Sequence, residues 1–358
     1  MINGLIESTK QVSLLDPFLL DEFFMDEFHH CNRLCHVKGI IRKGNGLELA
    51  GVQLQHISQV TAQAMTRDLG FLASSLVRHG ASLNEVSGLE PFLMNISKIS
   101  QEIPRDNLYS YTVRNPTGKR RRSFTGLDEE LLFIELLTIS IEEILKLLCL
   151  LPGREMFDPE SQECAEALHS CAGRLEVLTP SIVTVKRKIS PEVFSYKLRP
   201  YFEPLQVGGR SWVGQSAAQM PLLLIDWAVW GADCSDTDYR SYFEHNIEYS
   251  PAIIRDYQRQ QGLTESYISL TEKALKGMSP YRAEAVATAL LEILTVLAKF
   301  RYPHIKVAEE NFSVRVRNTQ GSGGYDMEIL NLLAEYTQHN RARIKTALRN
   351  SCRQLINH

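Results

Sequence analysis

The sequence lacks a strong net charge, a disulfide framework and a membrane-length apolar run. Its 39 basic and 42 acidic residues leave a formal net charge of −3 over 358 residues, so no global field attracts nucleic acid or an anionic membrane. Seven cysteines are an odd number, which favours free thiols in a reducing compartment. The apolar stretch Ala283–Phe300 is interrupted by Glu284, Glu292 and Lys299, as in a core helix. With no leader-like pattern at the N-terminus, the sequence predicts a cytoplasmic protein that binds neither nucleic acid nor membrane.

The common catalytic motifs are also missing. The chain has no Gly-x-Ser-x-Gly elbow, no His-Glu-x-x-His helix and no Gly-x-Gly-x-x-Gly turn after a strand, which disfavours hydrolases, zinc proteases and Rossmann dehydrogenases. Two histidines and a cysteine at 29–31 lie near Cys35 and His36. No second ligand pair at zinc spacing accompanies them, so ordinary surface or core roles are favoured over a zinc site.

Helical periodicity dominates the chain. Apolar residues recur at intervals of three and four, and few stretches alternate as strands do. The clearest segments are Leu127–Leu151, Ser161–Leu178, Ser279–Tyr302 and Tyr325–Ile356. The pattern predicts an all-α fold with at most one or two short strands.

A loop-like segment interrupts this pattern at Asn115–Gly126, which holds one proline, two glycines and four consecutive basic residues. It predicts a boundary between a smaller N-terminal helical domain (1–118) and a larger helical domain (119–358). The basic run Lys119–Arg122 is interpreted as a solvated loop, with a phosphate-binding patch or nuclear signal as the alternative.

His304 ends an apolar stripe on one helix. The stripe has the spacing 4, 3, 4, 3, 4 and consists of Val286, Leu290, Ile293, Leu297, Phe300 and His304. Such a stripe faces a core, and Pro303 predicts a kink beside the imidazole. A buried neutral imidazole suits a metal or heme iron, and Arg301 could pair with a heme propionate. A core histidine with an ordinary partner is the alternative.

A glycine-rich run, Gly321-Ser-Gly-Gly-Tyr325, precedes the last helical segment. Its backbone amides, together with the partial positive charge at a helix N-terminus, could clamp a carboxylate or propionate. A flexible connector is the alternative interpretation.

Several short blocks of sequence occur in a fixed order along the chain. They are Arg67-Asp-Leu-Gly-Phe71, Arg78-His-Gly80, Asn115-Pro-Thr117, Ser123-Phe-Thr-Gly126, Ile189-Ser-Pro-Glu-Val-Phe194, Leu198-Arg-Pro-Tyr201, Val207-Gly-Gly209, Met220-Pro-Leu222 through Trp230-Gly231, and Phe300-Arg-Tyr-Pro-His304 with Gly321-Ser-Gly-Gly-Tyr325. Together they resemble the indoleamine 2,3-dioxygenase and tryptophan dioxygenase superfamily of heme proteins. The resemblance is strongest to its monodechloroaminopyrrolnitrin synthase branch, which rearranges a chlorinated tryptophan.

The resemblance implies an all-α fold in which a smaller N-terminal domain packs over a larger domain that holds heme b. His304 would be the proximal ligand of the heme iron. Arg301 would lie beside a propionate, with Asp226 as its carboxylate partner. Gly214 and Ser216 would belong to a Gly-Gln-Ser turn beside the heme.

The resemblance also implies residues that hold the substrate. Arg199 would bind the substrate carboxylate, and Phe194 would line the same pocket. Ser322, with Gly323 next to it, would lie close to the bound amino acid. Where the branch has a tyrosine eight residues after the proximal histidine, this chain has Phe312, so its substrate can differ.

The expected activity is that of a heme b enzyme acting on tryptophan or a substituted tryptophan, with dioxygen or peroxide, in a biosynthetic pathway. Oxidative rearrangement of the indole ring and oxygen insertion both fit. An indole monooxygenase that gives an oxindole, and a non-catalytic heme-binding or sensing protein, stay open. Arg199, Ser322 and Glu135 are the predicted catalytic residues. Glu135 lies in the apolar run Leu131–Leu137, where a carboxylate needs either a function or a structural partner.

Overall fold

The computed structural model describes residues 2–314, 324–325 and 327–356. The α-helices are α1 (Ile2–Leu14), α2 (Phe28–Arg33), α3 (Val37–Asn45), α4 (Gln59–Arg78), α5 (Leu89–Ser100), α6 (Leu108–Tyr111), α7 (Asp128–Leu148), α8 (Gln162–Leu175), α9 (Leu178–Lys188), α10 (Leu222–Asp226), α11 (Thr237–Glu248), α12 (Ala252–Gln261), α13 (Tyr267–Leu275), α14 (Glu284–Ser313) and α15 (Met327–Ile356). Strands β1 (Leu205–Val207) and β2 (Arg210–Trp212) form one antiparallel hairpin with Leu205 opposite Trp212. The predicted all-α class is confirmed.

Shorter helical turns join these elements. Turns of the 3₁₀ type span Leu49–Gly51, Leu54–His56, Leu83–Glu85, Gly118–Arg120, Arg199–Phe202, Ala217–Gln219 and Pro280–Ala283, and π-helical turns span Phe23–Glu27, Val193–Leu198 and Trp227–Gly231. Two of the π-helical turns directly adjoin residues of interest, because one ends before Arg199 and another begins after Asp226. Turns of this kind often occur at functional sites.

Helix α14 is the centre of the larger core. It packs against α8, α9 and α15, and its residues Val286, Leu290, Ile293 and Leu297 are fully buried. This confirms that the periodic stripe faces a core. The helix continues through Pro303 and His304 to Ser313, because packing on several sides offsets the hydrogen bond that a proline removes. The kink at Pro303 stays a prediction.

A second apolar cluster forms around α4 and α5. Its central rings are those of Phe24, Phe28, Phe71 and Phe124, and the last two are tilted by 30° with their centroids 4.6 Å apart. Residues of this cluster come mainly from the N-terminal third of the chain, joined by the β-hairpin. The domain boundary between residues 118 and 119 stays a prediction. No helix in the described part of the chain is long and apolar enough to cross a membrane.

The interpretation of Lys119–Arg122 as a solvated loop is wrong for its last residue. The side chain of Arg122 is fully buried. It donates from Nη2 to Asp16 Oδ1 at 3.1 Å, from Nε to Asp68 Oδ1 at 3.1 Å, and from Nη1 to Asp21. Ion pairs with three carboxylates from distant parts of the sequence therefore stabilise Arg122 in a buried position. No local sequence pattern could indicate this burial.

Candidate functional site

An internal cavity lies between α7, α9, α10, α14, α15 and the segment 194–218. Its apolar walls include Phe133, Leu136, Leu137, Ile182, Leu223 and Leu333. At its rim, Lys186 of α9 pairs with Glu310 of α14 at 2.9 Å, and both side chains are close to half exposed. The cavity brings together most of the site residues that the sequence predicted.

His304 lines this cavity from α14. Its ring stacks on Phe300, one helical turn earlier, with centroids 5.3 Å apart. Burial, with a smaller contribution from the nearby Arg301 guanidinium, lowers the pKa of His304 to about 4. The imidazole is therefore neutral at physiological pH, and within the described residues no side-chain hydrogen bond occupies either ring nitrogen. A neutral nitrogen facing an apolar cavity is the donor that an iron ligand requires.

Arg301 is buried in the same wall and is held from three sides. Its Nη1 donates to the Leu333 carbonyl at 2.8 Å and to Thr337 Oγ1, and its Nη2 donates to Asp226 Oδ2. The other Asp226 oxygen accepts from Trp230 Nε1 at 3.2 Å. The pairing of Arg301 with Asp226 that the resemblance implied is present. A fixed, charge-compensated guanidinium next to His304 suits the edge of a heme, where a propionate lies.

Arg199 enters the cavity from the segment after the π-helical turn Val193–Leu198. It is buried, and its Nη1 donates to Glu203 Oε1 at 2.9 Å. Burial lowers the pKa of Arg199, and Glu203 opposes this shift. A guanidinium at an apolar wall can bind a carboxylate in two parallel hydrogen bonds.

Two aromatic residues predicted to contact the substrate also line the cavity. Phe194 packs edge-on against Phe133 of α7, with centroids 5.5 Å apart. Phe312 reaches the cavity from the end of α14. Ser195 Oγ donates to the Asn311 carbonyl at 3.0 Å, so the π-helical turn and the end of α14 are joined where the two phenylalanines lie.

The Gly214-Gln-Ser216 turn forms another part of the wall. A Cβ at Gly214 would overlap the backbone of Phe202, so only glycine allows this approach. Ser216 lines the cavity, and its Oγ accepts from Ala218 N at 3.2 Å. Gln215 also lines the cavity. Sequence reasoning passed over Gln215, although the motif that singled out its two neighbours contains it.

Behind this turn lies a buried ion pair between consecutive residues. Arg105 Nη2 lies 3.2 Å from Asp106 Oδ1, and both side chains are fully buried. Arg105 Nη1 also donates to the carbonyls of Glu203 and Trp212 at 3.1 and 2.9 Å. Burial raises the pKa of Asp106, and Arg105 opposes this shift. Neither residue was singled out from the sequence, because the contacts that give them a role are distant along the chain.

The prediction for Glu135 is wrong. This residue is exposed and lies outside the cavity lining, which α7 forms with Phe133, Leu136 and Leu137. The buried carboxylate of α7 is Glu130, which accepts from Tyr111 Oη, from the amides of Phe124 and Thr125, and from Thr125 Oγ1. Those contacts give Glu130 a structural role.

Three further residues named in the sequence analysis add nothing to the described cavity wall. Ser322 and Gly323 lie outside the described residues. His79, the only histidine in the matched blocks besides His304, bonds through Nε2 with Asn32 Oδ1 at 3.1 Å and is not part of the cavity wall. Among described residues, no group of three or more histidine, cysteine or acidic side chains is arranged to hold a metal ion.

The described cavity therefore combines a neutral histidine on an apolar wall with a neighbouring arginine that is paired with an aspartate. A family model for monodechloroaminopyrrolnitrin synthase matches residues 51–356. The match covers most of the chain, so the chain belongs to the monodechloroaminopyrrolnitrin synthase family, within the superfamily of indoleamine and tryptophan dioxygenases. The protein is an enzyme of a heme-dependent class that oxidises tryptophan-type substrates.

Proposed function

We propose that this enzyme uses heme b to oxidise tryptophan or a substituted tryptophan, chlorinated tryptophan included, in secondary-metabolite biosynthesis. The reaction is an oxidative rearrangement of the indole ring or an insertion of oxygen into it. The observation that carries this proposal is His304, a neutral imidazole on the wall of an apolar cavity, with Arg301 held by Asp226 beside it. Membership of the family supports the indole amino acid as the substrate class.

Some residues of the cavity wall would bind the cofactor and others the substrate. His304 would ligate the iron, Arg301 would lie beside a propionate and donate a hydrogen bond to it, and Gly214 and Ser216 would shape the wall beside the porphyrin. Arg199 would bind the substrate carboxylate. When bound, the heme would supply the oxidising chemistry with dioxygen or peroxide as co-substrate.

The protein would act mainly by orientation and by excluding water. Phe194, Phe312 and the leucines of α7 and α10 surround the cavity with apolar surface, which holds an indole ring and keeps bulk water away. Among the described residues that line the cavity, His304 is the single histidine. This favours an oxidation in which the electron-rich indole reacts without a second imidazole as proton donor.

Phe312 bears on which substituted tryptophan is preferred. It lines the cavity, at the position where the resemblance implies a tyrosine in the branch. The missing hydroxyl removes one hydrogen-bond donor, worth about 1 kcal/mol to a matching substrate group. Comparison of Phe312→Tyr with the natural enzyme across a series of ring-substituted tryptophans tests this assignment, since the tyrosine variant is expected to shift the preference.

The decisive experiment is an anaerobic titration of the heme-loaded ferrous protein with tryptophan and its chloro derivatives. Indole amino acids are expected to shift the heme spectrum, and addition of oxygen or peroxide is then expected to give an oxidised indole product by mass analysis. An oxindole would identify a monooxygenase. An absence of any spectral shift with every indole amino acid would favour a heme sensor and contradict the proposal.

Substitution of Arg199 distinguishes an enzyme from a heme sensor. Arg199→Met is expected to keep the Soret band, because His304 is untouched, and to abolish the shift that tryptophan induces. Arg199→Lys is the matched control, since it keeps the charge but not the two parallel hydrogen bonds. We expect it to restore only part of the response. A full response in Arg199→Met would remove this residue from the substrate site.

A further inference from the structure

The turn Gly214–Gln219 contains two buried glutamines whose amide groups are used differently. Gln219 is fully engaged with the backbone, because its Nε2 donates to the Gly214 carbonyl at 2.8 Å and its Oε1 accepts from Leu108 N at 3.1 Å. It is fully buried and lies outside the cavity lining. Gln219 therefore links the turn to the start of α6, and both ends of its amide group already have backbone partners.

Gln215 has one end fixed by Asp106. Its Nε2 donates to Asp106 Oδ2. The other Asp106 oxygen accepts from Ser74 Oγ at 3.4 Å and pairs with Arg105 Nη2 at 3.2 Å. Each of these contacts brings a donor to the Asp106 carboxyl group. An amide that gives its NH2 group to an acceptor has its carbonyl oxygen on the opposite side, so Asp106 determines which way the Gln215 amide faces.

The other end of Gln215 is unpartnered. Its Oε1 has no hydrogen-bond partner among the described residues, although the residue is only 2% exposed. A buried acceptor without a donor is unfavourable, and native proteins rarely leave one without a reason. Because Gln215 lines the cavity, the missing donor can come from a ligand. A carboxylate or propionate would be repelled by this oxygen, whereas an N–H group would be bound.

The position of Gln215 in the wall narrows the choice of N–H group. Its neighbour Gly214 lies against the backbone of Phe202, the last residue of the turn that begins with Arg199. Phe202, Arg199 and Gln215 all line the cavity. Gln215 thus belongs to the part of the wall that carries the guanidinium. In an amino acid, the carboxylate and the ammonium group share one carbon atom, so neighbouring sites for an anion and an N–H donor match its head group.

We infer that Gln215 binds the α-ammonium group of the substrate through Oε1, while Arg199 binds its carboxylate, and that Asp106 is the positioning residue that orients the Gln215 amide. This inference rests on the proposed function, since it requires an indole amino acid in the cavity. It adds a contact that selects amino acids over indole acids that lack the amine.

The test compares two ligands that differ only in the amine, tryptophan and indole-3-propionate, by calorimetric titration of the heme-loaded protein. The natural enzyme is expected to bind tryptophan more tightly. Gln215→Met keeps the length of the side chain and removes the acceptor, so it is expected to weaken tryptophan binding about 10- to 100-fold and to change indole-3-propionate binding about twofold or less. Gln219→Met is the matched control, because it removes an equally buried amide from the same turn. It is expected to change the binding of both ligands by the same factor.

Asp106→Asn tests the positioning role. Asparagine can hold the Gln215 amide in either orientation, so tryptophan is expected to lose part of its advantage while indole-3-propionate does not change. If Gln215→Met fails to take up heme, Asp106→Asn and the two-ligand comparison in the natural enzyme decide the question. Equal affinity of the natural enzyme for both ligands, or equal weakening of both by Gln215→Met, would overturn this inference and leave the proposed function standing. Failure of every indole compound to bind would overturn both.

Discussion

Arg301 and Asp226 form a buried ion pair that joins α14 to α10 in the wall of the cavity that His304 lines. Among the described residues of α14 that line the cavity, Arg301 is the one with a positive charge, and it lies three positions before His304. The pair therefore fixes the two helices at the point where a cofactor would lie, and it supplies a positive charge whose desolvation is already compensated. We therefore expect both stability and cofactor binding to depend on this contact.

We expect Asp226→Ala to destabilise the heme-free protein by about 3–5 kcal/mol, because it leaves the Arg301 charge buried without a partner. The double variant Arg301→Met/Asp226→Leu is expected to cost less than the single variant, since neither charge remains. Denaturant unfolding of the single and double variants measures this coupling. A loss in the double variant as large as that in Asp226→Ala, or larger, would show that the two side chains do not act as a pair.

We expect His304→Ala to lose the Soret band of the reconstituted protein, because it removes the nitrogen donor from the cavity wall. Added imidazole is expected to restore part of the absorbance by occupying the vacated position. His169→Ala is the control, since His169 is an exposed histidine that pairs with Glu292 on the surface. Absorption spectroscopy after heme titration measures the result, and an unchanged Soret band in His304→Ala would assign the ligand elsewhere.

The depressed pKa of His304 predicts a specific dependence of heme uptake on pH. At pH 5.5 an ordinary histidine of pKa 6.5 is about 90% protonated, whereas an imidazole with a pKa of about 4 stays neutral and able to bind iron. We expect heme uptake at pH 5.5 to match that at pH 7, as measured by absorbance titration. A midpoint near pH 6.5 would contradict the lowered pKa.

The same pKa affects the stability of the heme-free chain. Because the folded-state pKa of His304 lies below that of the unfolded chain, the unfolded chain takes up the proton first as pH falls. The contribution of His304 to stability is therefore constant above pH 6.5 and is lost between pH 6.5 and pH 4. His304→Gln is expected to flatten this part of the pH profile, which denaturant unfolding at a series of pH values measures.

The sequence predicted the helices better than the contacts between them. The stripe that ends in His304 was found because a 3.6-residue period and burial have the same cause, the packing of one helix face against a core. The contact between Asp106 and Gln215 could not be predicted, because residues more than one hundred positions apart meet only in the folded chain. Glu135 lies in an apolar run, but composition does not reveal which face of α7 points inward, and the structure buries Glu130 instead.

This pair of acidic residues offers a matched test on α7. Five positions separate them, which corresponds to about 140° around a helix. Glu130→Ala removes the acceptor for the Tyr111 hydroxyl and for the amides of Phe124 and Thr125, so we expect a loss of about 3 kcal/mol or more. Glu135→Ala is expected to change stability by about 0.5 kcal/mol or less. Thermal or denaturant unfolding gives both values, and similar losses would show that the carboxylate contacts of Glu130 contribute little.

The basic run Lys119–Arg122 shows that four similar residues in a row can have opposite environments. Arg122 is buried among Asp16, Asp21 and Asp68 and lies 5.0 Å from the centroid of the Phe24 ring, whereas Lys119 is exposed. We expect Arg122→Ala to cost about 3 kcal/mol, because it removes a buried guanidinium shared by three carboxylates, although Asp68 keeps Arg67 and Asp21 keeps Arg120 as partners. Lys119→Ala should be neutral within about 0.5 kcal/mol. If the run bound phosphate, both variants would instead lose affinity for inorganic phosphate with little change in stability. Unfolding and phosphate titration of the two variants therefore distinguish the structural role from the binding role.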